Sequence, residues 1–219
     1  MNRRFFILGK FNTWYDWRCT VTAKEIPDAE PKTNYIEIEG AHGALDLSEA
    51  LAGEPVYSDR VLTASFMCSE GSHKEREALL RQIVTALHGR KIQIIEPDDP
   101  EHYYLGRVQI VEKVNHLAYL EFTIEAICDP WRYALNATTR TVVVENEGTA
   151  DVVIRNAGAK TLRPTIEVVG RVTLTCNGVT TTLGVGSYEM NTFKLVQGVN
   201  VIKIEGTGTV TFIYREADL

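Results

Sequence analysis

Nowhere in this 219-residue chain does an apolar run approach the ~20 residues of a membrane span, so no membrane insertion is predicted. There is no CxxC: Cys19, Cys68, Cys128 and Cys176 stand apart, which excludes the usual zinc and redox spacings. Each falls in a strand-like run, where a free cysteine behaves as a small apolar group, so four reduced structural thiols are expected. No block of five or six bases occurs among the 23 basic and 29 acidic residues. With a net charge of -6, a grip on nucleic acid through phosphate neutralisation is not expected. HExxH, GxSxG and HxH are missing and the five histidines are dispersed. The chain is therefore not expected to be an enzyme, and no catalytic residue, metal ligand or cofactor is assigned. The opening MNRRFFILGKF has an apolar core of only Phe5 to Leu8, short of the ~7–15 residues of an export signal, so synthesis in a reducing cytosol is expected.

Period-two strands dominate what is present. In LAYLEFTIEAIC, Leu120, Phe122, Ile124, Ala126 and Cys128 share one face, while Glu121, Thr123 and Glu125 share the other. YYLGRVQIVEKV precedes it and is expected to pair with it across the polar turn near Asn115, and DRVLTASFMCS reads as a further strand. One helix is predicted at about 73–88. Ser72 and Glu75 form a capping box, Leu80, Ile83, Val84 and Leu87 recur on one face with Arg76, Arg81 and Gln82 opposite, and Gly89 supplies a left-handed stop. After Tyr133 no helical period survives. Runs such as RTVVVEN, ADVVIRN, RPTIEVVG, VTLTCNG, VTTTLG, FKLVQG, NVIKIEG and GTVTFIYRE alternate with glycine and asparagine, predicting an all-β sandwich of short strands joined at glycine turns. The polar link RYALNATTR divides the chain into expected domains 1–135 and 136–219; its Asn136-Ala137-Thr138 sequon is taken as chance.

Three stretches resemble functional loops and receive structural readings instead. YIEIEGAHGALDLSEAL places Gly40 and Gly43 after a strand, but it has neither GxGxxG nor a Walker lysine. It is expected to be a turn at positive φ, with His42 exposed, followed by a short extended or helical piece. EPDDPEHYY gathers Glu96, Asp98, Asp99, Glu101 and His102, yet two prolines interrupt it and the glycine of a calcium loop is missing, so a solvated acidic loop is expected. Trp14, Trp17, Trp131 and Tyr133 are assigned to packing, with Trp131 as an anchor at the exit from the first domain.

In order along the chain, these pieces resemble the distal tail protein (Dit) family of long-tailed, non-contractile phages. The segments that carry the resemblance are FNTWYDWRCTVTAKEIPDAEP, the Gly-x-x-Gly of IEIEGAHGALDLSEAL and the Tyr-x-x-Arg of YSDRVLTASFMC. The helix, CDPWRYA, RPTIEVVG and the terminal LVQGVNVIKIEGTGTVTFIYREADL complete it. The resemblance implies a mainly β fold with one helix, in which a tail-tube-like split barrel plus helix precedes a galectin-like β-sandwich. It also implies a homo-hexameric ring in the virion tail tip, made in the host bacterial cytoplasm, with the Gly40–Gly43 stretch as an assembly segment. That ring would join the tail tube protein to the tail-associated tip or lysin protein and a receptor-binding protein, with DNA only in transit through its lumen. Glu121 and Glu125 would keep that lumen from sticking to DNA. Two alternatives stand beside it. One is a carbohydrate-binding β-sandwich for host cell-surface adhesion, although the second half has no tryptophan and offers only Tyr188, Phe193, Phe212 and Tyr214. The other is a wall-degrading enzyme, which would need a carboxylate pair that no spacing in the sequence identifies.

Overall fold

The computed structural model describes residues 5–219; residues 1–4, part of the segment weighed as an export leader, lie outside the described residues. Two compact units emerge, one running through Arg132 and including Leu219, the other spanning Tyr133–Asp218.

The first unit contains β1 (Ile7–Leu8), β2 (Phe11–Asn12), β3 (Cys19–Glu25), β4 (Tyr35–Glu37), β5 (Ala44–Asp46), β6 (Arg60–Cys68), α1 (His73–Leu87), β7 (Lys91–Ile95), β8 (His102–Asn115) and β9 (Leu120–Ala134), the last crossing the unit boundary. Its main sheet runs β2-β1-β7-β8-β9-β6-β3, and β4 pairs only with β5. The period-two reading of β9 holds. Leu120, Phe122, Ile124, Ala126 and Cys128 are buried, and in antiparallel register they face Cys68, Phe66, Ala64, Leu62 and Arg60 of β6. Phe66 stacks on Phe122 at 5.0 Å and meets Phe6 edge-on at 5.7 Å, forming the centre of a core that Leu80, Ile83 and Leu87 of α1 cover.

The capping box is present. The Glu75 amide donates to Ser72 Oγ at 3.3 Å, and the Ser72 amide donates to Glu75 Oε2 at 2.7 Å. The bonds from the Ser72 amide and then its hydroxyl hold the Glu75 carboxyl below its ordinary pKa. At the other end His88 is extended and Gly89 turns the chain at φ +78°. Arg76 corrects the expected helix faces: it is buried with Leu80, Ile83 and Leu87, not opposite them. Its position one turn before Leu80 points it at the sheet, and its guanidinium is satisfied there. It donates to the carbonyls of Gly71, His116 and Leu117 at 2.5, 3.0 and 2.6 Å and to Asn115 Oδ1 at 3.3 Å. A cation so placed ties the N-terminus of α1 to the β8–β9 turn.

The expectation of four reduced thiols is also corrected. Cys19 and Cys68 are opposite residues of β3 and β6, with Cα atoms 4.3 Å apart, and they form a disulfide. A separation of 49 residues gives no hint of this pairing, because strand register alone creates it. Cys128 and Cys176 are free and buried, and burial pushes the Cys128 thiol up to about 12.

The second unit has fewer and longer strands than the sequence predicts: β10 (Thr138–Asn156), β11 (Thr165–Cys176), β12 (Val179–Leu183), β13 (Gly186–Glu189), β14 (Gly198–Tyr214) and the short β15 (Ala217–Asp218). RTVVVEN and ADVVIRN are one strand, as are RPTIEVVG with VTLTC, and NVIKIEG with GTVTFIY. The sheet order is β10-β14-β11-β12, with β13 pairing the other half of β11. The intervening glycines are creases rather than turns. Gly170 lies opposite Gly208, and Val172 lies opposite Gly206. All four positions belong to the even-numbered face that buries Ile166, Val168, Leu174, Ile202, Ile204, Val210 and Phe212. At the crease that face has no room: a Cβ on Gly170 would lie 2.3 Å from the Thr207 carbonyl oxygen, and one on Gly206 would lie 2.5 Å from that of Arg171. On β10 the register shifts between Val144 and Gly148, with Asn146 and Glu147 at φ +55° and +53°, and the same face continues inward beyond it. One sheet folded along this line forms the sandwich around a single core. Only Asn177-Gly178, at φ +48° and +79°, makes the two-residue hairpin expected of such a pair. FKLVQG is not a strand; Leu195 makes an isolated bridge to Leu162, and buried Asn200 holds the following turn through the Val196 amide and carbonyl.

No helix among the described residues is long and apolar enough to cross a membrane.

Candidate functional site

Tyr35–Glu37 and Ala44–Asp46 form a hairpin that leaves the main sheet of the first unit. Gly40 and Gly43 turn it at φ +82° and +76°, where a side chain would be strained, so the stretch is the structural turn its sequence predicts. His42 is exposed. The base is closed by Asn34, whose amide donates to Ser48 Oγ at 2.9 Å, and by Asp46, which accepts from the Ser48 amide at 2.9 Å. Ser48, through its hydroxyl and then its amide, holds the Asp46 carboxyl below its ordinary pKa. Strand alternation gives the hairpin two unlike faces. Ile36 and Leu45 lie on one; Tyr35, Glu37, Ala44 and Asp46 lie on the other.

Beside α1 in the same unit is a groove of about 540 Å³ lined by Phe11, Ala78, Gln82, Thr85 and Ala86, with Lys10, Arg81 and Arg90 as its charged residues. Arg81 also pairs with Glu77 at 3.7 Å.

The acidic stretch 96–104 is no bare carboxylate cluster. Lys24 Nζ bonds Glu96 and lies 2.7 Å from Asp98, while Asp99 spans His102 Nδ1 at 2.8 Å and Arg132 at 3.0 Å. Burial opposes the charge on Lys24, but the bonds to Asp98 and Glu96 outweigh it and raise its pKa. These acids spend their oxygens on cations. Among the described residues, no group of three or more His, Cys, Asp or Glu side chains could hold a metal.

Behind this cluster is Arg60, 4% exposed, which donates to the carbonyls of Pro27 and Pro130 and lies over the Tyr104 ring at 5.4 Å. Tyr57 meets Trp131 edge-on at 5.6 Å. The Tyr-x-x-Arg motif thus clamps residues 130–131, a role visible only once β6 and β9 are in register. Trp17 is buried and stacks on Phe11 at 5.1 Å, and Arg18 lies over the half-buried Trp14 at 5.6 Å. In the second unit Lys160 Nζ lies 4.7 Å from the centre of the Tyr133 ring. Phe193, Phe212 and Tyr214 are buried there, leaving Tyr188 alone partly exposed among the four aromatics weighed against a sugar platform. Glu121 and Glu125 occupy the exposed face of β9, Glu121 lying 3.6 Å from His116 Nε2.

No protein-family model and no curated protein sequence matches the chain. In fold it is similar to SPP1 Dit (gp 19.1), a protein described as a paradigm of the hub adsorption apparatus in phages that infect Gram-positive bacteria. The TM-score is 0.74 at 14% identity, with 99% of each chain covered. It also aligns with a chain of the phage p2 baseplate in its activated conformation with Sr, at a TM-score of 0.44 and 8% identity over 98% of each chain.

Proposed function

We propose that the chain is a structural hub protein of a long non-contractile phage or prophage tail, acting by assembly and not by catalysis. Six copies close into a ring through their first units. The ring joins the tail tube protein to the tip or lysin protein and the receptor-binding apparatus, and it leaves a lumen through which DNA passes. The observation that carries this reading is a likeness of fold to SPP1 Dit that extends through both units, covering 99% of each chain at a TM-score of 0.74. Ring closure would also bury sheet edges that otherwise invite open-ended association. Glu121 and Glu125, exposed on β9, are the acidic face assigned to the lumen, where like charge repels the DNA backbone. The protein is placed in the tail tip of the virion after synthesis in the host cytoplasm.

Light scattering of the purified full-length chain across a range of concentrations tests the proposal. A hexamer, or a monomer that becomes one as concentration rises, is expected, with rings visible by electron microscopy. A monomer at every concentration refutes self-driven ring closure.

A further inference from the structure

The Cys19–Cys68 link stands at odds with the compartment in which the chain is expected to be made. A reducing cytosol holds paired thiols open, and structural disulfides belong to oxidising surroundings. The fold nevertheless brings these two cysteines together: Cys19 is the first residue of β3 and Cys68 the last of β6, directly opposite each other. Neither remaining cysteine competes for them. Cys128 faces Arg60 at the far end of β6 from Cys68, and Cys176 belongs to the core of the second unit. The link also sits where the sheet opens most readily. β3 is an end strand that pairs only with β6, in a ladder whose register shifts between Val21 and Ala23. Both cysteines are buried, but their neighbours Arg18 and Glu70 make only a 3.9 Å contact between exposed side chains. Lifting this one strand end uncovers both sulfurs.

From this placement, and resting on the tail-tip reading above, we propose that the link is a lock closed after release. The chain folds and assembles in the cytosol with Cys19 and Cys68 as thiols, and a small-molecule disulfide met outside the cell oxidises them. One cysteine thiolate attacks a sulfur of that reagent, forming a mixed disulfide and expelling one thiolate. The second cysteine sulfur then attacks the protein sulfur of the mixed disulfide and expels the other. The Cys19–Cys68 bond replaces the S–S bond of the reagent, and the two cysteine protons end on the two released thiols. Closure ties the end strand to β6, so that β3 no longer frays in the free particle.

Alkylation of the full-length chain in denaturant, at the moment a bacterial cytosol is lysed, tests the timing. Peptide masses are expected to show Cys19 and Cys68 alkylated. The folded chain, purified without oxygen and then given oxidised glutathione, is expected to lose alkylation at both, while Cys128 and Cys176 stay thiols. Amide exchange in peptides from β3 is expected to slow on the order of tenfold as the link closes. Cys19→Ala with Cys68→Ala should exchange at the dithiol rate before and after the oxidant. Cysteines already linked at lysis overturn the timing. A folded dithiol chain that oxidised glutathione never links, or whose β3 exchange is unchanged by linking, overturns the lock. Light scattering of both forms keeps the ring reading separate. A dithiol chain that assembles and then links supports both ideas. One that links but assembles in neither form refutes the ring and leaves the lock standing. One that assembles only once linked keeps the ring and overturns closure after assembly.

Discussion

Replacing Gly170 by alanine tests whether the second unit is one folded sheet. Gly170 has φ +114°, a conformation that costs an L-residue on the order of 1–3 kcal/mol. The new Cβ would meet the Thr207 carbonyl oxygen at 2.3 Å and the Gly208 Cα at 2.7 Å, backbone atoms that no rotamer change can move. Relief requires parting the β11–β14 ladder at the crease and losing one or two hydrogen bonds of about 1 kcal/mol each. The sum is about 2–5 kcal/mol, with a midpoint near 3.5, a large share of the ~5–15 kcal/mol that stabilises a typical domain. Gly178→Ala is the control. Its φ of +79° is also left-handed, but nothing lies within 4 Å of its Cβ, so only the conformational cost of about 1–2 kcal/mol remains. Hydrogen exchange read on peptides from β11 and β14 should therefore be about thirtyfold faster in Gly170→Ala than in Gly178→Ala. Fluorescence of Trp14, Trp17 and Trp131, all in the first unit, should be unchanged in both. Equal exchange in the two variants would refute the crease as a site of obligatory close approach.

Two further outcomes concern the first unit. Arg76→Met keeps an apolar stem but leaves the Gly71, His116 and Leu117 carbonyls without their charged donor. A loss of about 3 kcal/mol is expected in denaturant unfolding followed by tryptophan fluorescence, whereas Arg81→Met, at an exposed position, should be nearly neutral. An equal effect of the two would show that the buried guanidinium contributes nothing special. The Cys19–Cys68 link closes a loop between residues 49 apart, for which chain-entropy reasoning gives about 4 kcal/mol. Reductant should therefore shift the tryptophan-monitored denaturation midpoint downward by a matching amount, and coincident curves with and without reductant would contradict that stabilisation.

Local signals made much of the fold legible. The alternation from Leu120 to Cys128 and the Ser72–Glu75 box are written in neighbouring residues, and both appear as read. What the sequence concealed depends on register or phase. Cys19 and Cys68 pair only because β3 and β6 align them, and Gly170 is a crease only because Gly208 stands opposite. Arg76 looked like a solvent residue by its charge, although its spacing from Leu80 and Ile83 already placed it on the buried face. The same limit applied to the acidic stretch 96–104. Its prolines and missing glycine argued against calcium, but Lys24 and Arg132, the cations that occupy it, are distant in sequence. The β4–β5 hairpin was legible as a turn from Gly40 and Gly43, whereas the groove beside α1 brings together Lys10, Arg81 and Arg90, which no local pattern joins.

The long β10–β14 ladder also constrains how the protein is made. Thr138 through Asn156 find their hydrogen-bonding partners in Gly198 through Tyr214, pairing in reverse order along the chain. On a ribosome adding about 5–20 residues per second, the first unit lacks only Leu219 once Arg132 is made and can begin to fold while synthesis continues. Thr138–Asn156, rich in valine and threonine, must then wait several seconds for its partner strand. During that interval it is an unpaired edge, open to the same segment of a neighbouring nascent chain. Because β10 and β14 pair antiparallel, Gly148–Asn156 meet their partners in Gly198–Gly206 first, and Thr138–Val144 must wait for Gly208–Tyr214. The second unit is thus completed late, and slow translation would lengthen its exposure to mispairing far more than that of the first.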